Sequence, residues 1–197
     1  MITTIVLAAG EASRMGQPKQ LMQLDGKSLV QRAVQTAQTV SDEIIVVTGA
    51  YADQIQENLS SEKVHFVHNP QWQTGMGSSI RAGIQQIMSV TPLPNAIIVM
   101  LCDQPLASPS LLEQLVTAYR HLGKTLVASV YHNTAGVPAL FGEALFPELL
   151  QLDGRAGAKS IITRYASQIA SVDFPEGIYD VDTPNDFARI KERLKGL

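Results

Sequence analysis

Leu7-Ala8-Ala9-Gly10-Glu11-Ala12-Ser13-Arg14-Met15-Gly16-Gln17-Pro18-Lys19 follows the short apolar run Ile5-Val6-Leu7 and decides how the rest of the chain is read. The run has the composition of a buried strand. The turn after it holds three alanines, two glycines, one arginine and one lysine before helical spacing resumes. Small residues let a ligand approach the backbone, and glycine tolerates the left-handed conformations of tight turns. Successive N–H groups in such a turn make a concavity for anions. Arg14 adds a planar fork of donors and Lys19 a point charge. Two readings fit: a loop wrapping a polyphosphate, or an ordinary glycine-rich connection with two solvated cations. The G-x-x-x-x-G-K-[ST] phosphate loop is not matched, because the glycine spacing differs and Pro18 precedes Lys19; the dinucleotide pattern G-x-G-x-x-G is absent as well.

Outward from this turn, apolar runs alternate with amphipathic stretches. Strands are expected at Glu43–Gly49, Val64–Val67, Ala96–Leu101, Leu126–Val130, Ile169–Val172 and Gly177–Val181, with an extended segment at Gly136–Phe141. Helices are expected at Ser28–Ala37, Tyr51–Leu59, Ser78–Val90, from Ser108-Pro109 onward, near Lys159–Tyr165, and at Pro184–Leu194 with Thr183 as N-cap. This alternation predicts an α/β fold, a mostly parallel sheet with helices on both faces. Ligands in such sheets sit at the carboxyl ends of the strands. The glycine turn and Cys102-Asp103 therefore share one rim.

A chain of 197 residues, 45% hydrophobic and 17% charged, suffices for one domain with a full core, and residues 1–197 read as a single unit. The net charge of −3 and the lack of a basic stripe argue against a nucleic-acid partner. No apolar run is long enough to span a membrane. The sole cysteine, Cys102, and an N-terminus without the pattern of a secretory leader lead to the expectation of a cytoplasmic protein. His65, His68, His121 and His132 lack metal-ligand spacing.

Three acidic or hydroxyl-rich segments carry candidate chemistry. Asp103 ends the most apolar strand, where a carboxylate either holds Mg²⁺ against phosphate oxygens or stops the strand and bonds local backbone. Asn69-Pro70-Gln71-Trp72-Gln73-Thr74-Gly75-Met76-Gly77-Ser78-Ser79 breaks structure and then opens a helix; Ser78 either caps that helix or meets a ligand. In Asp180-Val181-Asp182-Thr183-Pro184-Asn185-Asp186, capping accounts for Thr183, Pro184 and Asp186 and leaves Asp182 without a task.

The quoted turn resembles the signature L-A-A-G-x-S-x-R-M-G-x-x-K-x-L of nucleotidyltransferases related to molybdenum cofactor cytidylyltransferase, the MobA-like NTP transferases. N-P-x-W-x-x-G-M-G-S-S and D-x-D-T-P-x-D are similar to two further segments of that family, and Asp103-Gln104-Pro105 resembles its cytidylyl branch. The resemblance implies a Rossmann-like three-layer α/β/α sandwich with a mostly parallel mixed sheet, of the nucleotide-diphospho-sugar transferase type. It implies transfer of CMP from CTP to a phosphorylated pterin-type acceptor, with pyrophosphate released and Mg²⁺ as cofactor. By carry-over, Leu7, Ala8, Ala9 and Gly10 face the nucleotide, Arg14 and Lys19 hold phosphates and act in catalysis with Asp103, Gly75, Ser78 and Ser79 face the base, and Asp103 and Asp182 hold the metal. Gly136–Phe141 and Gly154–Lys159 resemble acceptor segments, with Arg155 where the family often has Asp. A molybdenum hydroxylase is the candidate recipient of the product. The alternatives are a relative using another base or acceptor, such as a guanylyl- or sugar-phosphate nucleotidyltransferase, and a non-catalytic nucleotide-binding accessory protein.

Overall fold

A computed structural model describes residues 1–195; the side chains of Arg14 and Lys195 lie outside that description. The strands are β1 (Ile2–Ala8), β2 (Gln23–Leu24), β3 (Lys27–Ser28), β4 (Glu43–Thr48), β5 (His65–His68), β6 (Ala96–Leu101), β7 (Leu126–Tyr131), β8 (Thr134–Gly142) and β9 (Ala170–Asp173). The helices are α1 (Leu29–Gln38), α2 (Ala52–Asn58), α3 (Met76–Met88), α4 (Pro109–Leu122), α5 (Phe146–Leu150), α6 (Ala158–Arg164) and α7 (Pro184–Lys195).

β1 is buried along its whole length, as expected of a central strand covered on both faces. It pairs in parallel with β4 on one side and β6 on the other, within a seven-stranded sheet ordered β5-β4-β1-β6-β8-β7-β9. β8 runs antiparallel to both β6 and β7, so the sheet is mixed, and β9 returns to parallel pairing on β7. Alternate residues of β1 feed two separate cores. Val6 and Ala8 pack with Val30, Val34, Leu112 and Leu115 of α1 and α4. Ile5 and Leu7 pack with Ile80, Ile84 and Ile162 of α3 and α6 on the opposite face. These two cores and the sheet between them make the expected three layers.

Local chemistry sets the helix starts. Ser28 caps α1 in a reciprocal box: its hydroxyl accepts from Gln31 N–H at 3.1 Å, and Gln31 Oε1 accepts from Ser28 N–H at 2.9 Å. Ser108 caps α4 ahead of Pro109, as expected. Thr183 and Asp186 make the equivalent box at α7: Thr183 N–H donates to Asp186 Oδ2 at 2.9 Å, and Asp186 N–H donates to Thr183 Oγ1 at 3.2 Å. Two expectations need correction. α3 begins at Met76, capped by Gly75 rather than Ser78. Gly177–Val181 is not a strand; a 3-10 turn covers Pro175–Ile178, and the chain then runs irregularly, outside the sheet, to α7.

Candidate active site

The turn after β1 folds as two short 3-10 turns, Ser13–Met15 and Lys19–Leu21, separated by Gly16 at φ 67°. Ala12 also takes a left-handed conformation, φ 54°. Gln20 holds the loop closed. It is buried, and its amide donates to the carbonyls of Gly10 at 2.6 Å and Ala8 at 3.3 Å. Tyr51 braces the outer edge through a 2.8 Å bond to Glu11 O. Leu7, Ala8 and Ala9 are buried; Gly10 is exposed, and no atom lies within 4 Å of where its Cβ would stand.

Lys19 ties the chain's distant parts together. Its ammonium donates to Asp103 Oδ2 at 2.6 Å and to Asp182 Oδ1 at 3.0 Å, partners 84 and 163 residues away. Asp103 reaches this point because β6 ends beside β1, with Leu101 opposite Leu7. Asp182 reaches it because Val181 N–H donates to the Asp103 carbonyl at 2.9 Å, laying the segment before α7 along the end of β6. The Lys19 and Asp103 side chains are largely sheltered, at 14% and 17% exposure. Burial alone would lower the Lys19 ammonium, but the Asp103 charge and the hydrogen bonds to both carboxylates outweigh it, and its pKa is raised. Asp103 Oδ1 is buried with no hydrogen-bond partner.

A second tier surrounds this pair. Gln104 is buried beside Asp180 and Tyr131, and its Oε1 has no hydrogen-bond partner. Partial desolvation, then the charge of Asp103, push the Asp180 carboxyl up to about 6. Neither Gln20 nor Gln104 stood out in the sequence. Their signal was an uncharged amide directly after a charged site residue, Lys19 in one case and Asp103 in the other. Cys102 is buried, and burial raises its thiol far above the reactive range, in keeping with a packing residue.

The segment expected to face a base lies against the first loop. Trp72 packs on Gly49, whose Cβ would stand 2.8 Å from Trp72 Cβ and 2.5 Å from Ala9 O. Trp72 thus anchors the segment. Gly75, at φ 117°, faces the backbone of Gly154 and Arg155. Ser78 and Ser79 are buried, and Asn69 Nδ2 donates to both hydroxyls, at 2.8 and 3.0 Å. Ser78 Oγ in turn lies 2.8 Å from the carbonyl of Gly75 and 3.0 Å from that of Gln71. Its one O–H is engaged by these carbonyls and one lone pair by Asn69, so Ser78 braces the segment and keeps a single accepting position for a ligand. Gly77 N–H donates to Gly154 O at 3.1 Å, which seats the Gly154–Lys159 loop directly on the start of α3. Arg155 and Lys159 are both exposed on that loop. A cavity of about 650 Å³ between α1, α4 and α7, lined by Arg32, Thr36, Ser108 and Phe174, contains none of the expected site residues.

Residues 4–169 match the family model for the MobA-like NTP transferase domain. The chain belongs to this family. It is a nucleotidyltransferase, and its MobA-like domain carries the glycine loop, Asn69–Ser79 and Asp103 within the matched region. Molybdenum cofactor cytidylyltransferase of Escherichia coli K12 is 23% identical over 193 residues, which are 98% of this chain and 96% of that protein. Nicotine blue oxidoreductase of Paenarthrobacter nicotinovorans is 34% identical over 121 residues, 60% of this chain and 57% of that one. Among solved structures, Rv0371c of Mycobacterium tuberculosis H37Rv superposes with a TM-score of 0.83 at 25% identity, covering 97% of each chain. A manganese complex of Rv0371c aligns with a TM-score of 0.76 at 26% identity, covering 97% of this chain and 98% of that one.

Among the described residues no three His, Cys, Asp or Glu side chains group as a metal cage. Two carboxylates meeting one cation suit a different arrangement. Mg²⁺ is commonly held by one or two carboxylates, with substrate phosphates and water completing the shell. Asp103 and Asp182 already share a cation, and Asp103 Oδ1 has spare accepting capacity. This donor set fits such an ion.

Proposed function

We propose that this MobA-like nucleotidyltransferase moves CMP from CTP to the terminal phosphate of a molybdopterin-type acceptor. An oxygen of the acceptor phosphate bonds to the α-phosphorus, the bond from that phosphorus to the β-phosphate bridging oxygen breaks, and pyrophosphate leaves. The observation that carries the reading is Lys19 meeting Asp103 at 2.6 Å and Asp182 at 3.0 Å beside the glycine loop. Phosphoryl-type transfer asks a protein mainly for position and charge neutralisation. Gly10 and the backbone around it receive the nucleotide, Gly75 borders the base, and Lys19 with Arg14 offsets the negative charge that grows on the leaving pyrophosphate. Asp103 and Asp182 would hold Mg²⁺, which supplies positive charge to the phosphate oxygens. The acceptor phosphate is already ionised, so no histidine base is required. Leu7-Ala8-Ala9-Gly10, rather than an L-A-G-G turn, favours a pyrimidine. The setting for this reaction is the cytoplasm, with a molybdenum hydroxylase receiving the product.

Thermal stabilisation by CTP, GTP, ATP and UTP, each with Mg²⁺ at one concentration, tests the base, because a ligand of the folded state raises the melting temperature by an amount that grows with the logarithm of its affinity. CTP should give the largest shift. Pyrophosphate release from CTP on adding molybdopterin tests the acceptor. A larger shift with GTP would overturn the cytidylyl assignment, and release that ignores molybdopterin would overturn the acceptor.

A further inference from the structure

Lys19 occupies the same two carboxylates that the proposed reaction needs for its metal. Its ammonium lies 2.6 Å from Asp103 Oδ2 and 3.0 Å from Asp182 Oδ1, and an ammonium and a divalent cation cannot share that space. Two carboxylates facing one sheltered point repel unless a cation sits between them. The backbone carrying Lys19 is fixed: Pro18 precedes it, and Gln20 after it is pinned to the loop carbonyls of Ala8 and Gly10. The side chain is not. Lysine is a point charge on a flexible four-carbon stem and can change partners without moving the main chain.

The geometry points to Lys19 as an internal counter-ion that bars the carboxylate pair to free divalent cations until a triphosphate draws the ammonium away. This rests on the reading of the site as one for a metal and a triphosphate, and it adds an order of events to that reading. Metal alone competes with a resident positive charge and binds poorly. A triphosphate in the glycine loop offers Lys19 new oxygens, the ammonium leaves Asp103 and Asp182, and the metal then enters beside the phosphates it serves. Nucleotide and metal therefore bind with positive coupling. Removing the lysine charge should uncouple them, making the pair a better site for metal alone and a worse one for the triphosphate.

Mn²⁺ is the probe, followed through the electron paramagnetic resonance signal of the free ion titrated with protein in the absence of nucleotide. Lys19→Met, with Lys19→Gln as a second variant, should bind Mn²⁺ about tenfold or more tightly than the native chain, within the usual range for coupled sites. Equal or weaker Mn²⁺ binding by folded variants overturns the inference. In the native chain, the nuclear magnetic resonance signal of the Lys19 ε-methylene should shift on adding CTP without metal and stay unchanged on adding Mg²⁺ without CTP; the reverse pattern also overturns it. CTP affinity measured with and without Mg²⁺, in the native chain and in Asp103→Asn, separates the two levels. If metal tightens CTP binding through Asp103 but the Lys19 variants bind free Mn²⁺ no better, only the counter-ion role falls. If metal leaves CTP binding unchanged in both chains, the metal reading falls with it.

Discussion

Gly77→Ala should destabilise the protein although it lies in a helix, where the same change ordinarily helps. An alanine in a helix interior is favoured over glycine by about 1 kcal/mol. At Gly77, however, an added Cβ would stand 1.9 Å from Asp153 O and 2.3 Å from Ala156 O, where ordinary contact begins at 3.4 Å. Both obstacles are backbone, so no side chain can rotate aside. Either α3 or the Asp153–Gly157 loop must retreat by about 1.5 Å, the shortfall at the tighter contact. Such a retreat breaks the 3.1 Å bond from Gly77 N–H to Gly154 O. Overpacking of this kind costs about 1–3 kcal/mol and the lost bond about 1 kcal/mol, against a propensity gain of about 1 kcal/mol. The net loss of about 1–3 kcal/mol lowers Tm by about 2–12 °C for a domain of this size. Gly10→Ala is the matched control. With no neighbour within 4 Å and no positive φ, it should leave Tm within about 2 °C of native, as surface substitutions do. Its methyl stands where the nucleotide is proposed to approach, so CTP affinity should fall about tenfold or more, a change of about 1.4 kcal/mol. Calorimetric melting and CTP titration of the two variants check both halves. A Gly77→Ala protein that melts at or above the native temperature would show that the loop contact does not constrain the chain. A Gly10→Ala protein that binds CTP normally would remove the glycine loop from the nucleotide site.

Lys19→Ala should cut turnover by about two to three orders of magnitude, the usual cost of losing one transition-state donor, in a protein that still folds; unchanged turnover in stopped assays removes it from the mechanism. Asp103→Ala should abolish the Mg²⁺ dependence of CTP affinity, read by calorimetric titration with and without the metal. Asp180 titrates near 6 rather than 3.8, so its ionised form opposes folding: the penalty is full above about pH 6 and fades as pH falls toward 3.8. Asp180→Asn should therefore melt higher than native at pH 7.5, by a margin that shrinks at pH 4.5; because Asp180 is exposed as a residue, solvent screening keeps that margin modest, and an equal gap at both pH values would contradict it. Cys102 should resist a thiol reagent at pH 8 in the native protein and react once it is unfolded in urea, so rapid native labelling would mean that its cover opens.

What could be read in advance divides along a physical line. β1, β4 and β6 announced themselves because a strand buried on both faces needs an unbroken apolar run, and the residue types carry that directly. The caps at Ser108 and Thr183 were equally plain, since each is a contact within three residues. The direction of β8 was not legible: Gly136–Phe141 looks the same whichever way it runs, and its antiparallel pairing with β6 and β7 is a property of the assembled sheet. Gly177–Val181 was misread for a related reason. Val181 is fully buried and apolar, which suits a strand, but its N–H is taken by the Asp103 carbonyl rather than by a ladder. The same hydrogen bond that breaks the local pattern carries Asp182 to Lys19. Ser78 shows the converse. Its type suggested a ligand contact, and only the position of Asn69 and of two carbonyls reveals that its O–H is already engaged within the protein. Residue type proposes which atoms could meet a substrate; the partners each atom already has decide which remain available. By that criterion Asp103 Oδ1 is available, buried and without a donor like Gln20 Oε1 and Gln104 Oε1 nearby, and it alone of the three carries charge, beside a lysine that holds the companion oxygen. A carboxylate spent on closing a strand would have filled both oxygens from nearby backbone. One oxygen committed to a movable cation and one left open is what the proposed metal-holding role asks of Asp103.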